Sequence, residues 1–203
     1  NGSSGNELWK CESPYTSATI VADIRPGSGS SYPVFLTVLN DILFFCARDN
    51  PTRDKLWKSE PTYTSVTMVA DIQPGSELVV ANNILFFAAD NDIDGEELWK
   101  CEAPYSNATM VDDIFPGTGS SDPDDLTAVN NILFFSANNG TIGVELWKCE
   151  DPYANATLVE DVYPGNRFGF YMLKAIDEVI YIYTRDGSSG MELFKCEAPY
   201  TTI

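Results

Sequence analysis

The segment Asp90-Asn91-Asp92-Ile93-Asp94-Gly95 sets three carboxylates two residues apart and follows them with a glycine. Carboxylates so spaced are the start of an oxygen cage for calcium, and glycine permits the sharp turn that such a loop needs. An EF-hand would place a bidentate glutamate at its twelfth position, where this chain has Cys101. Asp90, Asp92 and Asp94 are therefore candidate ligands of a calcium loop outside that class, with calcium as the candidate cofactor. The competing expectation is a solvated acidic hairpin tip. The corresponding segments RDNPTRD, ANNGTIG and RDGSSG each lack three acids.

Other reactive or modifiable residues recur in register. Asn107-Ala108-Thr109 and Asn155-Ala156-Thr157 are sequons at one repeated position; Asn1-Gly2-Ser3 and Asn139-Gly140-Thr141 are sequons at another. Both positions fall in expected loops, where N-linked glycans are accepted. Asn50-Pro51-Thr52 is blocked by its proline. Cys11, Cys101, Cys149 and Cys196 share a register and are the disulfide candidates, through adjacent loops or between chains. Cys46 follows Leu43-Phe44-Phe45 and reads as a small buried residue. With five cysteines, at least one thiol is left over or bonded outside this span.

Recurring acids are the remaining chemical candidates. Glu7, Glu97, Glu145 and Glu192, then Asp23, Asp71, Asp113 and Asp161, appear once per repeat. Catalysis concentrates in one irregular place, so periodic acids point instead to turn capping or to cross-strand pairing with Lys10, Lys58, Lys100, Lys148 and Lys195. The chain has no histidine. That removes the commonest general base and most zinc geometries. No catalytic residues are assigned, and the chain is read as not an enzyme.

What positions these residues is a repeat. Aligned on Trp9, Trp57, Trp99, Trp147 and Phe194, the copies are spaced by 48, 42, 48 and 47 residues. One array spans 1–203, with repeats 1–48, 49–90, 91–138 and 139–185 and a partial fifth, 186–203. Thr19–Ile24, Thr67–Ile72, Thr109–Ile114 and Thr157–Val162 each precede a Pro-Gly turn. LTVLN or LTAVN, an Asn/Asp turn and an ILFF run follow, then a loop into ELWK. The unbroken apolar ILFF runs suit strands buried on both faces. No helical period is sustained. About four strands per repeat of 42–48 residues predicts an all-β, β-propeller-like array of four-stranded blades. The Trp series and Phe194 are the expected repeat core.

Composition bounds the partners. Thirty acidic residues against 12 basic give a net charge of −18, which repels nucleic-acid backbones and anionic membranes. No apolar run approaches the roughly 20 residues of a membrane span. Apolar content of 44% and aromatic content of 12% specify a folded chain.

The stretch ELWK…ATMVDDIFPGTGSSDP…LTAVNNILFFSANNGTIGVELWK resembles the ELWxxDGT repeat family of secreted proteins. The resemblance covers essentially the whole chain, but Glu-x-Pro-Tyr stands where that family has DGT. It implies an extracellular repeat protein with a propeller-like fold and no enzyme activity. The expected function is a secreted or cell-surface structural or assembly protein. It is expected to be glycosylated and to self-associate head-to-tail into a filament or layer, because five ELW/ELF strands accompany only four full repeats. The span then either continues in further repeats or is completed between molecules. The alternative is a calcium-dependent propeller that binds a carbohydrate or protein partner. Phe168, Phe170, Tyr171, Tyr181 and Tyr183 make repeat four atypical, as expected of a capping or docking edge.

Overall fold

The computed structural model describes residues 5–162, 170–185 and 190–202, with Phe170 and Tyr171 described in backbone alone. Asn1, Phe168 and the Pro164-Gly165 turn lie outside the described residues. Among those described the chain is all strand and turn, and no helix is long and apolar enough to cross a membrane. Five antiparallel sheets succeed one another. The first pairs β1 (Leu8–Cys11) with β2 (Ala18–Ala22). The second runs β3 (Val34–Leu39), β4 (Ile42–Ala47), β5 (Lys55–Ser59), β6 (Thr67–Ala70). In the third, β7 (Gln73–Pro74) and β8 (Val79–Ala81) share one edge of β9 (Ile84–Asp90), followed by β10 (Glu96–Cys101) and β11 (Thr109–Asp112). The fourth runs β12 (Asp124–Val129), β13 (Ile132–Asn138), β14 (Val144–Cys149), β15 (Thr157–Glu160). The fifth runs β16 (Phe170–Ile176), β17 (Val179–Arg185), β18 (Met191–Cys196).

Four strands per repeat therefore hold in the second and fourth sheets. The third gains β7 because its connection is the short one, which keeps Gln73 and Pro74 beside Asp90 and Ala89. The repeat boundaries at 48, 90, 138 and 185 fall inside the second to fifth sheets, between β4 and β5, β9 and β10, β13 and β14, and β17 and β18. Each of these four sheets thus takes its first strands from one repeat and its last from the next.

Two local rules explain the strands. The hairpins at Asn40-Asp41, Asn82-Asn83 and Asn130-Asn131 have both central residues at positive φ, between 48° and 65°. That geometry matches strand twist, and Asn and Asp tolerate it. The ILFF runs are buried on both faces because they lie between two neighbouring sheets. Phe44, Phe86 and Phe134 face the following sheet, whereas Phe45, Phe87 and Phe135 face the preceding one. Strand alternation alone assigns the two rings of each pair to opposite interfaces. Each phenylalanine is fully buried, a burial that stabilises by about 1.5–3 kcal/mol per ring.

The core is accordingly four apolar layers, each shared by two successive sheets. Trp99 and Trp147 point into the layer behind them and are 9% exposed. Trp57 and Phe194 are half-buried at the same position. Trp9 departs from the expected core role: it is 39% exposed, since among the described residues no sheet packs behind the first.

Candidate binding cavity at the inner strand edges

The first strand of each full sheet lies on one inner side of the array. There β12 contacts both β8 and β16, and Thr37 on β3 donates to the Leu78 carbonyl beside β8 at 3.0 Å. Both β3 and β12 carry a bulge, with register shifts between Val34 and Thr37 and between Asp124 and Thr127. A bulge turns a side chain out of the ladder. Phe35 and Asp125 occupy the equivalent place in the two bulges, each with φ of 55°.

Between these edges is a cavity of about 350 Å3 lined by Phe35, Ser76, Glu77, Asp124, Asp125 and Lys174, with Leu126, Thr127 and Leu173 completing its walls. Four sheets contribute to it. Asp125 accepts from the Leu173 amide at 3.1 Å, which ties β12 to β16. Burial pushes the Asp125 carboxyl above its ordinary range and Asp124 adds to this, while the Leu173 amide and the Lys174 charge pull it back. A second recess beside it is lined by Gly75, Ser76, Glu96, Asp122 and Asp124. Burial raises both Glu96 and Asp122, and neighbouring acids raise Glu96 further. The Glu96 carboxylate lies where a Cβ on Gly75 would stand, so a larger residue there would displace that side chain.

Glu7 and Glu97 prove to be internal clamps, and Glu145 accepts from the Val162 amide at 2.9 Å, whereas Glu192 is exposed. Glu97 is fully buried and accepts from the amides of Ile114 (3.0 Å), Phe115 (3.3 Å) and Ser121 (3.1 Å) and from the Ser121 hydroxyl (2.6 Å). Glu7 does the same with Ile24 and Ser31. Burial pushes Glu97 up, and these hydrogen bonds oppose that rise. The expected turn capping is therefore the role seen, and the periodic lysines pair elsewhere. Lys10, Lys58, Lys100, Lys148 and Lys195 each meet the glutamate two residues on, at 2.6–3.3 Å.

The second sheet inverts the clamp. Its short connection has no serine loop, and Lys55 replaces the glutamate, meeting Asp49 at 3.2 Å and Asp71 at 3.3 Å. Sequence reading missed this exchange, although the shortened repeat and the lysine were both visible.

The acidic loop is not assembled as a cage. Asp92 pairs with Arg53, Asp90 accepts the Asp92 amide at 2.7 Å, and Asp94 accepts from the Asn91 amide group at 2.8 Å. Three carboxylates with three separate partners fit the hairpin-tip expectation. Among the described residues no three metal-ligating side chains gather. The disulfide candidates are not joined either: all five cysteines are free. Equivalent positions on successive sheets keep Cys101, Cys149 and Cys196 buried in separate layers, and Cys11 is exposed on the first sheet. Asn107 and Asn155 are exposed; Asn139 is half-buried, its side-chain carbonyl accepting from Thr141.

A further set of residues was legible only as a loop. Tyr105, Tyr153 and Tyr200 reach back to Phe44, Phe86 and Phe134 of the preceding sheet, with ring centroids 5.1–5.6 Å apart. Tyr105 donates to the Asn83 carbonyl and accepts from Asn40, both at 2.9 Å. The recurrence of Pro-Tyr was the available signal.

Successive antiparallel sheets stacked through shared apolar layers, with first strands meeting on one side, define an all-β fold of the kind found in TolB-like β-propeller proteins. The chain matches no protein-family model and no curated protein. Among solved structures it is similar to TolB from Acinetobacter baumannii, with a TM-score of 0.55 and 9% identity over 95% of this chain and 46% of that one. A puromycin hydrolase gives a TM-score of 0.62 at 9% identity over 88% of this chain and 29% of that one. A putative TolB from Agrobacterium tumefaciens gives 0.55 at 7% identity, over 100% of this chain and 72% of that one. The chain thus spans less than half the length of the first two. At such identities the likeness is one of fold.

Proposed function

We propose that the chain is an extracellular, non-catalytic repeat protein with a structural or assembly role, which self-associates through its end sheets in a propeller-like array. One contrast carries this reading. Tyr15 is 74% exposed, whereas its equivalents Tyr105, Tyr153 and Tyr200 are 2–6% exposed against the preceding sheet and Tyr63 is half-buried. Trp9 beside it is exposed as well. At the other end Tyr181 occupies the place of Phe44, Phe86 and Phe134 and is half-buried, and Leu193 is 67% exposed. Within residues 5–202 the contact that joins sheets internally is thus left unmade at the first and last sheets, and a second copy that supplied it head-to-tail without closing the ring would grow a filament.

Light scattering over a concentration series tests this. Mass should rise with concentration, and Tyr15→Asp should hold the chain monomeric. A monodisperse wild-type monomer throughout would falsify the reading. The ELWxxDGT resemblance and the exposed sequons support secretion with glycans at Asn107 and Asn155. Material from eukaryotic secretion should lose mass on glycosidase treatment, and the Asn107→Gln, Asn155→Gln pair should abolish most of that loss.

A further inference from the structure

We propose that the inner cavity is a binding site for a small zwitterion of amino-acid size. Its volume of about 350 Å3 lies at the small end of ligand pockets, about 300–1,000 Å3. Its wall carries both signs of charge: Glu77, Asp124 and Asp125 against Lys174. Lys174 stands near enough to pull down the Asp125 carboxyl, yet the two form no ion pair among those described. They sit on different strands, and the Leu173 amide holds Asp125 in place. A bare cation entering the cavity would meet Lys174, and a bare anion would meet the carboxylates. A ligand with an ammonium at one end and a carboxylate at the other leaves neither group unmatched.

The remaining lining suits the same ligand. Thr127 donates to the Asp125 carbonyl at 3.1 Å, so its hydroxyl oxygen keeps lone pairs for an incoming N–H. Phe35 brings an aromatic ring to the lining, the group type on which an ammonium can rest. That a bulky residue is held at φ of 55° in a bulge, and is 38% exposed, runs against ordinary backbone preference. Its counterpart in the other bulge is Asp125, so the two devices aim an aromatic and a carboxylate at one space. A divalent metal fits less well, since no three ligating side chains gather among the described residues. The site is independent of self-association, as neither Tyr15 nor Tyr181 lines it.

The probe is L-alanine, titrated by calorimetry beside N-acetyl-L-alanine, which lacks the ammonium, and L-alaninamide, which lacks the carboxylate. L-Alanine should bind, and each blocked form should bind at least about tenfold more weakly, the loss of roughly one charge-assisted contact. Asp125→Asn keeps the left-handed backbone and the acceptor for Leu173 but removes the charge. Lys174→Met keeps the stem. Both should weaken L-alanine about tenfold while the variants still unfold in one cooperative transition. Absence of L-alanine binding at millimolar concentration, equal binding of the blocked forms, or full affinity in both variants overturns the proposal.

Discussion

Ser121 donates its hydroxyl to the buried Glu97 carboxylate at 2.6 Å across 24 residues of chain. The same bond joins Ser31 to Glu7. The loops after Pro26-Gly27 and Pro116-Gly117 are thereby fastened to the start of β1 and to β10. Glu97→Gln should cost about 2–3 kcal/mol and Ser121→Ala about 1–2 kcal/mol in urea unfolding, the range for hydrogen bonds to charged groups. Lys55→Glu places a third acid against Asp49 and Asp71 and should cost about 3 kcal/mol. A glutamate tolerated at 55 without loss would show that loop length and charge at this place are not coupled.

Stability should fall as pH rises from mildly acid to neutral. Burial raises the folded-state values of Glu96, Glu97, Asp122 and Asp125 above their ordinary ones. For such groups the stabilising contribution is complete below the unfolded value, about 4, and is lost as pH rises through the raised folded value. Asp71 acts with the opposite sign: burial pushes it up, but Arg53 and Lys55 outweigh that and hold it low. Its contribution is present above the unfolded value and disappears as pH falls through the folded one. A melting-temperature profile should therefore peak on the acid side of neutrality. A profile still climbing at pH 7 contradicts this balance.

Tyr105 and Tyr15 occupy the same repeat position in opposite environments. Tyr105→Phe removes the hydroxyl shared with Asn40 and Asn83 and should cost about 1–2 kcal/mol. Tyr105→Ala also empties the space against Phe44 and should cost about 3–5 kcal/mol. Tyr15→Ala should change monomer stability by no more than about 0.5 kcal/mol. Equal losses at the two sites in urea unfolding would mean that Tyr15 is covered in solution.

The thiols should separate cleanly. Burial pushes Cys101 up to about 11 and Cys149 up to about 12, and raises Cys46 and Cys196 too. Alkylation of the native protein near pH 8, where an ordinary thiol is partly ionised, should label Cys11 alone. Peptide mapping that finds Cys101 or Cys149 labelled before unfolding goes against the buried placement.

The strands were legible because their signals are local. ILFF, ELWK and the Asn-Asn turns each announce a strand or hairpin within a few residues, and the structure has them there. The phase of the sheets was not, since periodicity cannot say which strands pair within a copy and which pair across copies. Glu97 illustrates the same limit. Its recurrence marked it as architectural, but the partner Ser121 lies 24 residues away and only tertiary contact selects it. The inner cavity was least visible: Phe35 and Asp125 share a repeat position but no chemical type, so nothing in the pattern brings an aromatic and an acid together. Asp90, Asp92 and Asp94 show the converse, a local motif whose middle carboxylate is paired with Arg53 of the neighbouring sheet, a contact that the spacing alone does not reveal.

From the second sheet to the fifth, each is finished by the repeat after the one that began it, so the seams between these sheets do not coincide with the seams of the period. A duplication of one period, begun at any residue, therefore inserts one whole sheet and one whole interface and leaves its neighbours' pairing untouched. Array length becomes something that recombination can change in whole steps.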